Sequence, residues 1–197
     1  MAIAARAPAQ PQIPLDTSFA RWVRQHAIPM RPVDEPYRDS AYAFLRPLIG
    51  NARLLALGEN IHGGHEPLAL RNHIIRYAVT QLGFTAVALE SGFTEAILVD
   101  RYIQGGAGEL DSVTHAGISY GFGDLRENRE LVQWLRAHNE RAPHKVHFYG
   151  VDQVGVGDRH YSGAPAVEYA LAYLERVAPA AGAEHRARLA PLVERLA

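Results

Sequence analysis

The chain has 197 residues, enough for one domain or little more. Its 20 Lys and Arg against 21 Asp and Glu leave a net charge of −1, which excludes a bulk electrostatic case for nucleic acid or an anionic membrane. There is no Cys, so disulfides, thiolate metal sites and cysteine nucleophiles are excluded, and His and carboxylates must carry any polar chemistry.

Residues 1–16 are rich in Ala and Pro and read as a mobile tail rather than a signal peptide. Thr17-Ser18 is a plausible N-cap, and Phe19, Trp22, Val23 and His26 then share a helical face. Pro29, Pro32 and Pro36 make a loop. A second helix is expected from Asp39-Ser40 to Ile49, with Ala43, Phe44 and Leu48 as its buried stripe. Arg53 to Gly58 is a short, nearly continuous apolar run ending in Gly, which favours a strand buried on both faces. Glu66 to Leu82 reads as a helix with Leu68, Ile75, Ala78, Val79 and Leu82 along one side and Gly83 as its stop. Thr85 to Glu90 is a second strand of the same kind, followed by a helix over Phe93 to Gln104. The Gly-rich stretch from Gly105 to Gly123 has no strong periodicity. Glu127 to Arg141 reads as helix, Lys145 to Gly150 as a third strand, and Pro165 to Val177 and Ala183 to Leu196 as further helices.

Strands alternating with helices predict an α/β fold: a small parallel sheet of three or four strands flanked by helices, with additional helices at both ends. The expected organisation is a tail over residues 1–16, an α/β core over 17–157 and a helical segment over 158–197, the start of a longer helical region.

In open α/β sheets, ligands bind beyond the C-terminal ends of the strands. Gly58-Glu59-Asn60-Ile61-His62-Gly63-Gly64-His65-Glu66 lies just past the first predicted strand, Glu90 ends the second, and Asp152 follows the third. Carboxylates gathered at one edge repel one another, so their convergence makes sense if they share a proton, hold a cation or orient an imidazole. An imidazole with an ordinary pKa of about 6.5 suits His62 to take a proton from water, with Glu59 or Glu90 fixing its tautomer. Arg71, one turn into the following helix, is placed to pair with a carboxylate or a developing oxyanion. Glu66 also suits the positive end of its helix. A competing reading makes His62, His65, Glu59, Glu90 and Asp152 metal ligands, although Gly63-Gly64 between the histidines is unlike a helical His-Glu-x-x-His motif. No Gly-x-Ser-x-Gly elbow and no Walker loop is present.

These residues resemble the erythromycin esterase family. Leu57-Gly58-Glu59-x-x-His62-Gly63-x-x-Glu66 is similar to the family signature, as are Arg71, Gly83-Phe84, and Val87 to Glu90. Tyr102 to Gly106 is similar to its Tyr-x-x-Gly-Gly motif. Asn128, Glu130, Trp134-Leu135-Arg136 and Asn139 are similar to its helix motif, and Phe148 to Asp152 to its third-strand motif. The resemblance implies a hydrolase of macrolactones or other carboxylic esters that uses the motif histidine, here His62, as general base without an obligatory metal or cofactor. It places Glu59, Arg71 and Glu90 with His62 as catalytic residues; Glu66, Asn128 and Asp152, which fall in its motifs, and His65, from its place in the same loop, are expected in supporting or substrate-binding positions. Asn60-Ile61 stands where many relatives have Ser-Thr, and relatives are longer, with further site residues in a C-terminal half that has no counterpart here.

The expected partner is a small molecule, a macrolide or other ester-containing natural product, with no nucleic acid and no membrane. Homo-oligomerisation stays open, and a cytoplasmic location is expected because no apolar run reaches the roughly 20 residues needed to span a bilayer. Three rival functions remain at this point: a metal-dependent hydrolase, a biosynthetic enzyme using the same site for non-hydrolytic chemistry, and a non-catalytic binding module.

Overall fold

The structure is a computed structural model that describes residues 17–59, 61–152 and 163–196. The predicted tail over 1–16, Asn60, the Gly- and His-containing stretch after Asp152 and the boundary expected at 157 lie outside the described residues. The chain separates into two compact units, residues 1–32 and 33–197.

The first unit contains α1 (Thr17–His26). Its shared face stacks ring on ring, Phe19 on Trp22 at 6.3 Å between centroids and Trp22 on His26 at 4.8 Å.

The second unit is mostly helical around a small open parallel sheet. Where one helix is expected over 39–49, a 3-10 turn at Asp39–Tyr42 is followed by the short α2 (Leu45–Ile49). Tyr42, not the expected stripe of Ala43, Phe44 and Leu48, is the buried residue there, and its hydroxyl meets His73 Nδ1 at 2.7 Å. Pro47 has no N–H to donate, which confines it to a first turn and keeps α2 short.

The long helix α3 (His65–Leu82) buries Leu68, Ala69, Asn72, Tyr77, Ala78 and Val79. Gly83 closes it at φ 75°, a left-handed conformation that suits a residue without Cβ, and Phe84 N–H reaches back to Ala78 O. Strand β1 (Ala86–Gly92) leads into α4 (Phe93–Ile103), α5 (Leu110–Gly117) and α6 (Arg126–Asn139), and the chain returns in β2 (His147–Asp152). The helical hairpin α7 (Ala164–Val177) and α8 (Pro179–Leu196) follows. Gly182 sits against the Glu175 backbone, where a Cβ would come within 2.5 Å of Cα, so the two helices close tightly at that point.

The two strands pair in parallel, Ala86 with His147 through Leu89 with Gly150. The register then slips, because Gly92 pairs with Asp152, leaving one extra residue on β1 between the pairs. This bulge falls at Glu90-Ser91, at the strand's C-terminal end, where bulges re-aim side chains. Gly150 accommodates it: a Cβ there would lie 2.3 Å from Gly92 O and 2.5 Å from Ser91 O.

Two expectations are corrected. The apolar run Arg53 to Gly58 is not a strand; with residues of β1 it lines a cavity without entering the ladder, and Leu54 is 83% exposed. A short apolar run specifies burial, not ladder pairing, so its composition could not decide the matter. The strands are also not covered on both faces. Val87, Ser91 and Phe148 point into the core, whereas Ala86, Ala88, Glu90, His147, Tyr149 and Val151 are exposed. One feature was not read from the sequence: α5 forms inside the Gly-rich stretch.

The core lies beneath the covered sheet face and joins Val79, Val87, Ala96, Val99, Ile103, Ile118, Leu131, Val132, Leu135, Val146 and Phe148. Several motif residues are structural. Arg136 donates to Tyr102 O at 2.7 Å and Gly106 O at 2.9 Å, with its guanidinium 4.1 Å from the Tyr102 ring centroid. The buried Asn139 side chain donates to Ile103 O and Val146 O and accepts from Val146 N–H, satisfying backbone groups at the entry to β2.

Candidate active site

The residues just beyond β1 and before α3 enclose an open cavity of about 260 Å³. Glu59, His62, Arg71, Glu90 and Asn128 line it, together with Leu57, Leu68, Leu89, Ile118, Phe122 and Leu125. Five of the eight side chains singled out in the sequence therefore meet in one place. They come from four elements or loops: Glu59 and His62 from the loop before α3, Arg71 from α3, Glu90 from the bulged end of β1, and Asn128 from the first turn of α6.

Glu59 Oε1 lies 3.5 Å from His62 Nδ1, with the His62 side chain 62% exposed and that of Glu59 29%. The His62 ring rests on Phe122, with centroids 5.2 Å apart. The turn Gly63-Gly64 follows His62, and Gly63 takes φ 74°, a conformation that costs a residue with Cβ.

Arg71 is a half-buried charge of the site. Its Nη2 donates to Asn128 Oδ1 at 2.5 Å and to Asn72 Oδ1 at 3.0 Å, and its Nε to Asn72 Oδ1 at 3.3 Å. Burial holds its pKa below the usual guanidinium value, partly offset by the carboxylates of Glu59 and Glu127. A guanidinium is protonated at any ordinary pH, so the charge stays in place. Asn128 in turn donates from Nδ2 to Phe122 O at 2.8 Å, and Asn72 from Nδ2 to Glu127 O at 2.7 Å. One short network thus ties the Arg71 head, the start of α6 and the aromatic support under His62.

The remaining three expected site residues stand outside the cavity lining. His65 is held by two carboxylates, Glu127 Oε1 at 2.6 Å from Nδ1 and Asp34 Oδ1 at 2.8 Å from Nε2. Hydrogen bonding to Glu127 and then to Asp34 raises its pKa, against the opposing Arg126 guanidinium, whose Nη2 is 2.8 Å from the ring. Burial pushes the Glu127 carboxyl up, but the bonds from His65, its own backbone N–H and Arg126 outweigh it, and the net shift is downward. Glu66 is exposed in the first turn of α3, where a negative charge meets the positive helix end. Asp152 ends β2 and accepts a hydrogen bond from Tyr120 Oη.

Residues not anticipated are Ile118 and Phe122, from the stretch that lacks periodicity, Leu125 just after it, and the partners Glu127 and Asp34 of His65. The loop that carries Phe122 is fixed to β1 by a reciprocal pair: Ser119 N–H donates to Ser91 Oγ at 3.0 Å and Gly92 N–H to Ser119 Oγ at 2.9 Å. Gly123 packs so closely on α5 that a Cβ would lie 1.9 Å from Thr114 O.

Among the described residues, no group of three or more His, Asp or Glu side chains is arranged to hold a metal ion. Both ring nitrogens of His65 already meet carboxylates, so ligation by His65 requires it to give up one of them. Among the same residues, no helix is long and apolar enough to cross a membrane.

The model of the erythromycin esterase family matches residues 79–196. That span includes Glu90, Asn128 and Asp152 and begins after Glu59, His62 and Arg71. The chain is 34% identical over 136 residues to erythromycin esterase type II of Escherichia coli, which covers 68% of this chain and 31% of that protein. It is 32% identical over 74 residues to YbfO of Bacillus subtilis (strain 168), named as a hydrolase, covering 38% of this chain and 16% of that one. A crystal structure of a Bacillus cereus protein superposes with a TM-score of 0.66 at 25% identity, covering 89% of this chain and 39% of the other. A crystal structure of a succinoglycan biosynthesis protein gives a TM-score of 0.76 at 22% identity, covering 92% and 44%, a likeness of fold. The chain thus spans 31% of the length of the Escherichia coli relative. With more than half of its residues matched by the family model, the chain belongs to the erythromycin esterase family.

Proposed function

We propose that this chain hydrolyses a carboxylic ester or lactone, with His62 as the base that activates water. The observation that supports this reading most strongly is that Glu59, His62, Arg71, Glu90 and Asn128, far apart in sequence, line one cavity. Membership of a family named for an esterase agrees with it.

In the reaction, His62 takes a proton from water as the water oxygen bonds to the ester carbonyl carbon. Glu59, facing Nδ1, fixes the tautomer in which Nε2 accepts that proton and stabilises the imidazolium formed. The 3.5 Å separation is long for a hydrogen bond, as is common before substrate binds. The carbonyl oxygen becomes an oxyanion near Arg71; the bonds to Asn72 and Asn128 use Nε and Nη2, so that role falls to Nη1. The intermediate collapses by breaking the carbon–oxygen bond, and His62 returns its proton to the leaving alkoxide. An ester yields an acid and an alcohol; a lactone yields one hydroxy acid. Glu90 supplies a second negative charge to hold the imidazolium or orient the water.

His62→Gln keeps the size and polarity of the side chain but not the basicity. The variant folds like the parent by circular dichroism, and hydrolysis of an ester and macrolactone panel falls about 10²- to 10⁴-fold. Undiminished turnover in His62→Gln overturns the mechanism.

A further inference from the structure

A second cavity of about 680 Å³ adjoins the first. It opens between the segment before Gly58, the inward side of α3 and the uncovered face of β1. Leu55, Leu57, Ile75, Val79, Leu82 and Leu89 are among its walls, and no carboxylate lines it; Arg53, Arg71 and Thr85 are its polar side chains. The space exists because the segment runs beside β1 without pairing to it. Leu57, Arg71, Ala88 and Leu89 line both cavities, so the second space lies directly beside the one that holds His62. Its volume lies within the usual range of about 300–1,000 Å³ for small-molecule sites, and its lining has the usual character, mostly apolar with few polar groups.

We infer that this second cavity receives the hydrocarbon acyl limb of the ester whose carbonyl is attacked in the first. The inference rests on the hydrolytic reading above and narrows its substrate class: esters whose acyl side is an extended, uncharged hydrocarbon. Arg71 stands at the junction of the two spaces, where the carboxylate of the released acid comes to lie. Short acyl groups leave the cavity unfilled, and a charged group along the acyl limb loses water against the leucine, isoleucine and valine walls.

The test measures binding of the straight-chain carboxylates acetate, butanoate, hexanoate, octanoate and decanoate by titration calorimetry. These are products of the proposed reaction, so binding is read without turnover. The expected result is an affinity that rises roughly fourfold per added methylene, the value for burying each CH₂. Ala86 is exposed on β1 and faces this cavity alone, so Ala86→Trp fills it from a position with room for a larger side chain. That variant is expected to weaken decanoate at least tenfold and leave acetate unchanged. Ala56→Trp, exposed on the opposite wall, is the second filling variant should the first fail to fold. Affinity independent of chain length, or decanoate binding undiminished in a folded filling variant, overturns the assignment. The two readings fail separately. Chain-length-dependent binding with equal hydrolysis by the parent and His62→Gln sinks the catalytic role and leaves the acyl cavity; loss of hydrolysis in His62→Gln without chain-length dependence does the reverse.

Discussion

Arg71 is half-buried, and a guanidinium withdrawn from water needs its donors satisfied. Asn128 meets that need and, through Phe122 O, also sets the loop under His62. Asn128→Leu removes both bonds, and the expected cost is about 1–3 kcal/mol of stability for the unsatisfied partner, measured by denaturant unfolding. With Arg71 no longer held, turnover is expected to fall at least tenfold while the protein remains folded; full activity would show that Arg71 needs no such support. His65 offers a pH signature. Its pKa is raised by Glu127 and Asp34, so its contribution to stability is complete below about 6.5 and is lost as pH rises through the folded-state value. Glu127 is shifted downward, so its contribution is present above the ordinary carboxylate range and is lost on acidification. The clamp is therefore strongest in mildly acidic solution. His65→Gln should flatten the decline in melting temperature as pH rises above about 6.5, and an unchanged profile would show that the clamp contributes nothing.

At the scale of elements, the bulge at the end of β1 turns Glu90 toward the cavity, and it depends on the absence of a side chain at Gly150. Gly150→Ala is expected to destabilise the domain by roughly 1–3 kcal/mol, because the new methyl group meets two backbone oxygens that cannot withdraw separately. An unfolding midpoint equal to the parent's would mean that the strands separate there at no cost. The elements also show what the sequence made legible. Glu59, His62, Arg71 and Glu90 were readable because each sits at the end of an apolar run or beside a helix start, and Asn128 followed from the family resemblance. Ile118, Phe122 and, just beyond them, Leu125 were not, since a Gly-rich stretch without period gives no face to assign. Glu127 and Asp34 were not because their link to His65 spans 62 and 31 residues, and a single sequence does not report such pairing. The segment before Gly58 misled for a different reason: its apolar side chains serve a cavity wall rather than a ladder.

At the scale of the whole molecule, a mostly helical unit frames a two-stranded sheet with one face covered by the core and the other open. The covered face supplies the rigidity on which the site depends, through α4, α6 and the Asn139 and Arg136 bonds. Glu90, at the end of β1, lines the cavity with Glu59, His62 and Arg71. Family motifs divide the same way: Tyr102 to Gly106, Arg136 and Asn139 hold the fold, whereas Glu59, His62, Arg71 and Glu90 line the cavity.

The central claim is that His62 drives water onto an ester carbonyl carbon. The direct measurement is mass spectrometry of an ester and macrolactone panel incubated in ¹⁸O-labelled water with the parent chain and with His62→Gln. One ¹⁸O atom is expected in the carboxylate of the product, none in the alcohol, and at least about a hundredfold less product from the variant. Label in the alcohol, equal product from His62→Gln, or no product from any substrate would contradict it.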